Sequence, residues 1–248
     1  YVDSDLIVSK NSISQLIKRL KKDKLTGSVG GIQRTVNLNK KNYSSNFVCL
    51  KSCYGFEDVK AEVEFTVIHS EFCVINKNFL LKIGGWKSYK NAGGEEFELG
   101  QRILKSGKKI ILIKRAYYTT YYNDIFTRFK KIIDRTDKYL GILLKKKYFD
   151  SKGSFATKNQ ATSAMITSGL ILFFALNIIL PQNINFLKVS IILLIIQLYL
   201  EFDFLRYANK YFGFKMLFFS IYGIQVINLG ILIGSLKFFI KKILFLNN

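Results

Sequence analysis

The run Gly93-Gly94-Glu95-Glu96-Phe97-Glu98-Leu99-Gly100-Gln101-Arg102-Ile103-Leu104-Lys105-Ser106-Gly107, continuing into Lys108-Lys109-Ile110-Ile111-Leu112-Ile113-Lys114, decides the class of fold. A glycine pair leads into a segment that opens with glutamates, and acids are favoured at a helix amino terminus. The spacing predicts a helix from Glu95 to Leu104 that ends near Ser106-Gly107. Lys109 to Lys114 is a short apolar run bounded by lysines, the pattern of a buried strand.

The same alternation extends toward the amino terminus. Ile13, Leu16, Ile17 and Leu20 fall on one helical face, predicting a helix over Asn11 to Lys22, with Ser12 and Gln15 as a capping box. Gly27 to Leu38 reads as a strand in which Gly30-Gly31 allows a close backbone approach or a bulge. Lys40 to Tyr54 is polar and aromatic and reads as a surface loop. Ala61 to Ile68 alternates as a strand with Val63, Phe65 and Val67 on one face. His69 is read with it as a structural strand residue. Phe72 to Ile75 is a short strand, and Lys77 to Ile83 a short helix closed by Gly84-Gly85. A basic helix follows over Asp124 to Lys147. Strands and helices in alternation predict an α/β fold.

Past Lys158 the composition changes. Gln160 to Leu180 is uncharged and ends at Pro181; Ile184 to Leu200 is apolar except for Lys188; Met216 to Leu236 is uncharged again. Each is close to the roughly 20 residues that a membrane-crossing helix needs. The expected organisation is an α/β domain over 1–135, a basic juxtamembrane segment over 136–159, and a membrane region over 160–248 with crossings at 160–180, 184–200 and 216–236. Two crossings with an interfacial helix is the alternative. Lys145, Lys146, Lys147, Lys152 and Lys158 precede the first segment and place the α/β domain on the cytoplasmic face. Three crossings then put Lys237, Lys241 and Lys242 outside, against the same rule. A re-entrant third segment or a missing fourth crossing would remove the conflict.

The 248 residues carry 38 Lys and Arg against 17 Asp and Glu, a formal charge of +21. A surplus of this size calls for a polyanionic partner. Anionic membrane lipid fits a chain with membrane segments. Nucleic acid is not the expected partner, because zinc-finger spacing and an RNA-binding aromatic signature are both lacking. Cys49, Cys53 and Cys73 show no metal-ligand spacing and read as reduced, unliganded thiols. The chain opens on Tyr1-Val2, which reads as the tail of a strand whose start precedes the sequence.

Asp3-Ser4-Asp5 and the Glu95-Glu96 pair carry the candidate chemistry. Two carboxylates at i and i+2 on a turn can share a divalent cation, Mg²⁺ or Mn²⁺. A glutamate at the mouth of a cleft can take a proton from a hydroxyl. The plain readings are a capping turn and a favourably charged helix start.

Taken together and in order, these pieces resemble the family 2 glycosyltransferases. Val2-Asp3-Ser4-Asp5, Gly30-Gly31, Val74-Ile75-Asn76-Lys77 through Gly84-Gly85-Trp86, and Glu95-Glu96-Phe97-Glu98-Leu99 with Arg102 follow that family's succession over about residues 1 to 135. The resemblance implies a partial GT-A domain, a Rossmann-like mixed sheet, whose nucleotide-base half lies before Tyr1. It implies inverting transfer of a sugar from a nucleotide-sugar donor to a lipid-linked or glycan acceptor. Asp3 and Asp5 would hold the metal and the donor diphosphate. Glu96 would be the catalytic base, with Glu95 beside it. Gly84, Gly85 and Trp86 would shape the acceptor side. Arg135 would be a further donor-phosphate contact.

The sequence departs from that pattern in three places. Glu96 stands where the family usually has Asp. No His occurs near Thr119 to Tyr121. Ile132-Ile133-Asp134-Arg135-Thr136 keeps only the arginine of the Gln-x-x-Arg-Trp motif of processive synthases, so polymerisation is not implied. A catalytically inactive membrane subunit of the same fold, and a basic membrane-tethered binding module, are the alternatives.

Overall fold

A computed structural model describes residues 1–35, 42–56, 61–87, 94–146, 157–181 and 184–246. Gly93, Lys147, Lys152 and the end of the strand expected to reach Leu38 lie outside the described residues. The elements are β1 (Leu6–Val8), α1 (Ser12–Lys22), β2 (Thr26–Gln33), α2 (Tyr43–Cys53), β3 (Glu62–Phe65), β4 (Cys73–Ile75), α3 (Lys77–Lys82), α4 (Glu95–Lys105), β5 (Lys109–Thr120), α5 (Ile125–Lys146), α6 (Lys158–Ile179), α7 (Ile184–Leu200), α8 (Phe202–Phe212) and α9 (Phe214–Leu246). They form two compact units: Tyr1–Asn39 with Gly55–Tyr122, and Lys40–Tyr54 with Asn123–Asn248.

The first unit is mixed α/β around a mixed, curled sheet in the order β1-β5-β2-β4, with β3 also on β5. β5 is the spine. It runs parallel to β2 on one edge and antiparallel to β3 and β1, one after the other, on the other edge. The expected strand Lys109 to Lys114 covers only its first half, because Ala116 and Tyr118 alternate with polar residues while remaining buried. The β2–β5 register shifts between Gly31 and Ile32. There a side chain would collide: a Cβ on Gly31 would lie 2.3 Å from the Phe72 ring and 2.7 Å from the Ala116 carbonyl. The close approach read from Gly30-Gly31 is present. α1 packs Leu16 on this sheet against Val29, Phe72, Ile111 and Tyr118.

Several expectations are corrected. Ser12 does not cap α1. Asn11 occupies the cap position with φ 65° and makes no side-chain cap bond, and the Ser12 hydroxyl pairs with that of Ser9. Of the expected inward face, Leu16 is buried while Ile13 and Ile17 are exposed. β3 stops at Phe65, so His69 lies in the following turn. Its ring is held edge-on between Phe56 and Phe65.

The expected loop Lys40 to Tyr54, whose residues 40 and 41 are outside the described residues, is instead a helix over Tyr43–Cys53, α2. Asn42 caps it by accepting from the Ser44 and Ser45 amides. Phe47, Val48, Cys49 and Leu50 are all buried. With Ser45 and Asn46 also buried, six consecutive inward residues match neither the strand nor the helix period, and this contiguity conceals the helix.

In the second unit, two helices are long and apolar enough to cross a membrane, Lys158–Ile179 and Phe214–Leu244. The expected second segment, Ile184 to Leu200, is helical. That helix has 17 residues, and α8 follows it at a bend of 63°. Only if the bent pair counts as one does the number of candidate crossings reach three. A buried polar set joins α6, α7 and α9. Gln197 donates to Thr167 at 2.8 Å, and Asn228 donates to Thr167 at 2.9 Å and Ser163 at 3.0 Å. Away from water such groups are costly unless paired.

Candidate functional site

Asp3-Ser4-Asp5 is placed by pairing far along the chain. Val2 forms an antiparallel bridge with Phe72, and the Asp3 amide donates to the Glu71 carbonyl at 2.9 Å. The Cys73 amide donates to Tyr1, and the Gly31 amide to Phe72. Residues 71–73 therefore sit between the Asp-Ser-Asp segment and the glycine pair of β2. Ser4 and Asp5 turn the chain into β1, so a strand intervenes between this turn and α1.

Glu71, to which a sequence reading assigns no role, stands at the centre. Its Oε1 accepts from the buried Tyr118 hydroxyl at 2.6 Å, and His69 Nδ1 lies 3.8 Å from the same oxygen. The Asp3 carboxyl is raised above its ordinary value, first by partial burial and then by the negative charges of Glu71 and Asp5. Like charges close together favour the protonated form. Cys73 is buried under the same segment, and that burial pushes its thiol up to about 12.

Glu95, Glu96 and Glu98 open α4, whose cap residue Gly94 has φ 97°. Glu96 Oε1 accepts from the Ser70 hydroxyl at 2.5 Å. Glu95 is half-buried at the same helix start. One short turn, His69-Ser70-Glu71, thus contacts both the Asp3 segment and the Glu96 carboxylate.

The Gly84-Gly85 turn is fixed from α4. Both glycines have positive φ, 89° and 62°. The Arg102 guanidinium donates to Gly85 O at 2.7 Å and to Ile83 O, while its other face is held by Glu98 at 2.8 to 3.0 Å. Burial raises the Glu98 carboxyl, but hydrogen bonds and charge from Arg102 and Lys87 outweigh it and hold the group below its ordinary value. Trp86 follows the turn and packs edge-on against Tyr1, with ring centroids 5.5 Å apart. Its Nε1 is buried without a hydrogen-bond partner.

The structure therefore brings Asp3, Asp5, Glu96, Gly84, Gly85 and Trp86 into one unit, linked through Tyr1 and residues 69–73. Arg135 lies on α5 in the second unit. Among the described residues, no group of three or more His, Cys, Asp and Glu side chains converges to hold a metal by itself. Ser70, Glu71 and Tyr118 escape a sequence reading because the bridge of Val2 to Phe72 joins segments far apart in the chain. The only local sign is an acid standing directly before an apolar strand, Glu71-Phe72-Cys73-Val74.

Compared with models of known protein families and with curated proteins, the chain matches none.

Proposed function

We propose that the chain is a membrane-bound, inverting glycosyltransferase of the family 2, GT-A kind, moving a sugar from a nucleotide-sugar donor to a lipid-linked or glycan acceptor. The observation that carries this reading is the His69-Ser70-Glu71 turn, whose neighbours contact the Asp-Ser-Asp segment on one side and whose serine holds Glu96 on the other. A donor-binding acid pair and a base must be held in fixed relation for an in-line displacement.

In this reading an acceptor hydroxyl attacks the anomeric carbon. The new C–O bond forms as the bond to the donor diphosphate breaks, and Glu96 takes the hydroxyl proton. Ser70 positions the Glu96 carboxylate through Oε1. Trp86 and the Gly84-Gly85 turn border the acceptor.

Asp3 and Asp5 supply hard oxygen donors. Magnesium is commonly held by one or two carboxylates together with substrate phosphates rather than by a complete protein cage. Asp3 lies near the like charges of Glu71 and Asp5, an arrangement that a cation would relieve. Bound Mg²⁺ or Mn²⁺ would neutralise the diphosphate as it leaves. The lysine-rich segments would meet anionic lipid at the cytoplasmic face.

The test is sugar transfer in membranes containing the chain, with a panel of nucleotide sugars, with Mg²⁺, Mn²⁺ or chelator, for the native protein and Glu96→Gln. Chelator-sensitive transfer that Glu96→Gln abolishes is the expected result. Nucleotide binding without transfer from any donor would replace this reading with an inactive subunit.

A further inference from the structure

α9 is unbroken over 33 residues. At 1.5 Å per residue it is about 50 Å long, against a hydrocarbon thickness of about 30 Å. Its composition qualifies it as a crossing, but its neighbours argue against one.

Along its second half α9 is lined by α5. A Cβ on Gly230 would meet Phe129 and Ile132, and one on Gly234 would meet Ile133 and Thr136. Farther on, Lys237 pairs with Asp134 at 3.1 Å and Lys241 with Asp137. The contacts advance in step on both helices, so α5 and α9 run parallel. α5 carries Arg128, Lys130, Lys131, Asp134 and Arg135 within two turns, and charges of that density are not carried into hydrocarbon. Along its first half α9 is lined by α2. Phe219 lies against Tyr43 and Phe47, and Phe47 also covers Gly223. α2 in turn carries Lys51, paired with Glu201. A window of about 20 residues set across a bilayer anywhere on α9 takes one of these helices with it.

Phe218, Tyr222, Leu229, Ile233, Leu236 and Ile240 are exposed, and their spacing by threes, fours and sevens makes them one outward stripe of α9. From Leu236 onward the exposure widens to include Phe239, Ile243 and Leu244. α6 and α7 differ. They form an antiparallel pair, Phe173 against Phe186 near the tip and Thr167 against Gln197 near the base. Beyond the buried polar set they are exposed and apolar around most of their circumference.

Resting on the membrane-bound reading above, we propose that α9 lies lengthwise in the membrane interface on the same side as α5, its exposed stripe facing the acyl chains. Only the α6–α7 hairpin enters the hydrocarbon. The 63° bend at Glu201 turns the chain from the hairpin into the interface along α8, whose Arg206 and Lys210 are placed for anionic headgroups. The C terminus then returns to the side of α5, and Lys237, Lys241 and Lys242 no longer oppose the positive-inside rule.

The test is made on the full chain in oriented phosphatidylcholine–phosphatidylglycerol vesicles. Lys131→Cys on α5 and Lys242→Cys on α9 are exposed to a membrane-impermeant maleimide. Both should label from the same side; labelling from opposite sides overturns the proposal. Depth is read separately in a Trp86→Phe background with tryptophan at Phe218, Leu229 or Ile240 and brominated lipids. All three should be quenched alike, most strongly by bromines near the headgroups. Strong quenching of Leu229→Trp alone by bromines near the chain ends would mean that α9 crosses. Protein that fails to float with the vesicles would instead remove the membrane-bound reading itself.

Discussion

Arg102 donates to the backbone carbonyl of Gly85 at 2.7 Å, so a side chain on α4 fixes a left-handed turn that follows α3. The same guanidinium is gripped by Glu98. The acidic helix start therefore has two uses: Glu96 faces Ser70, and Glu98 orients the arginine that holds the turn before Trp86. Arg102→Ala should cost about 2 kcal/mol, because hydrogen bonds to charged groups contribute roughly that much. Arg102→Lys should recover little, since an ammonium cannot replace the planar fork. Thermal unfolding in detergent measures both. The pair should also set an acid limit. The Glu98 carboxyl is depressed below its ordinary 4.5. Its contribution is complete above that value and is lost as pH falls through the lower folded value. Arg102→Ala should remove this part of the acid dependence.

Gly31 and Gly85 should fail differently when replaced. Gly31→Ala drives a methyl into the Phe72 ring and the Ala116 carbonyl, an overpacking that should cost about 1–3 kcal/mol. A Cβ on Gly85 meets nothing within 4 Å, so the obstacle is its φ of 62° alone. Gly85→Asn should therefore retain more stability than Gly85→Ala, as Asn tolerates the left-handed region. At position 31 Asn should be worse than Ala. Unfolding midpoints of the four variants decide this.

How much of this was legible in the sequence follows from the range of the interactions. α3, α4 and the first half of β5 are set by near neighbours: acids at a helix start, glycines at its end, an apolar run after it. Gly30-Gly31 announced a close approach without saying what approaches. The bridge of Val2 to Phe72, which brings Glu71 to Asp3, leaves no trace in local pattern. α2 was missed because its buried residues are consecutive. For α9, hydropathy marks a candidate crossing but does not reveal that a charged helix lies along it.

Asp3 should behave as a site residue whose charge costs stability. Its carboxyl is raised above 3.8. A raised folded value means that native stability falls as pH rises through it, because the ionised form is less favoured in the fold than in the unfolded chain. Asp3→Asn should therefore be slightly more stable than the native protein at neutral pH without divalent cation. Adding Mn²⁺ with a nucleoside diphosphate should raise the unfolding temperature of the native protein through ligand linkage, and leave Asp3→Asn unmoved. Equal shifts for both proteins would separate Asp3 from any metal or diphosphate.

Lys51 and Glu201 form a buried ion pair in the second unit, at 2.9 Å, with Lys51 also 4.4 Å from the centre of the Phe204 ring. The pair ties α2 to the break between α7 and α8, the point where the chain bends. Removing one partner leaves an uncompensated buried charge, which costs about 3–5 kcal/mol. Replacing both with apolar residues is often close to neutral. Lys51→Met should therefore be strongly destabilised, and Lys51→Met with Glu201→Leu should recover most of the loss. If the pair also fixes the bend, the recovered double variant should still show altered bromolipid quenching of a tryptophan at Phe218, since α8 would no longer be anchored where it leaves α7. Recovery of stability with unchanged quenching would assign the pair to packing alone.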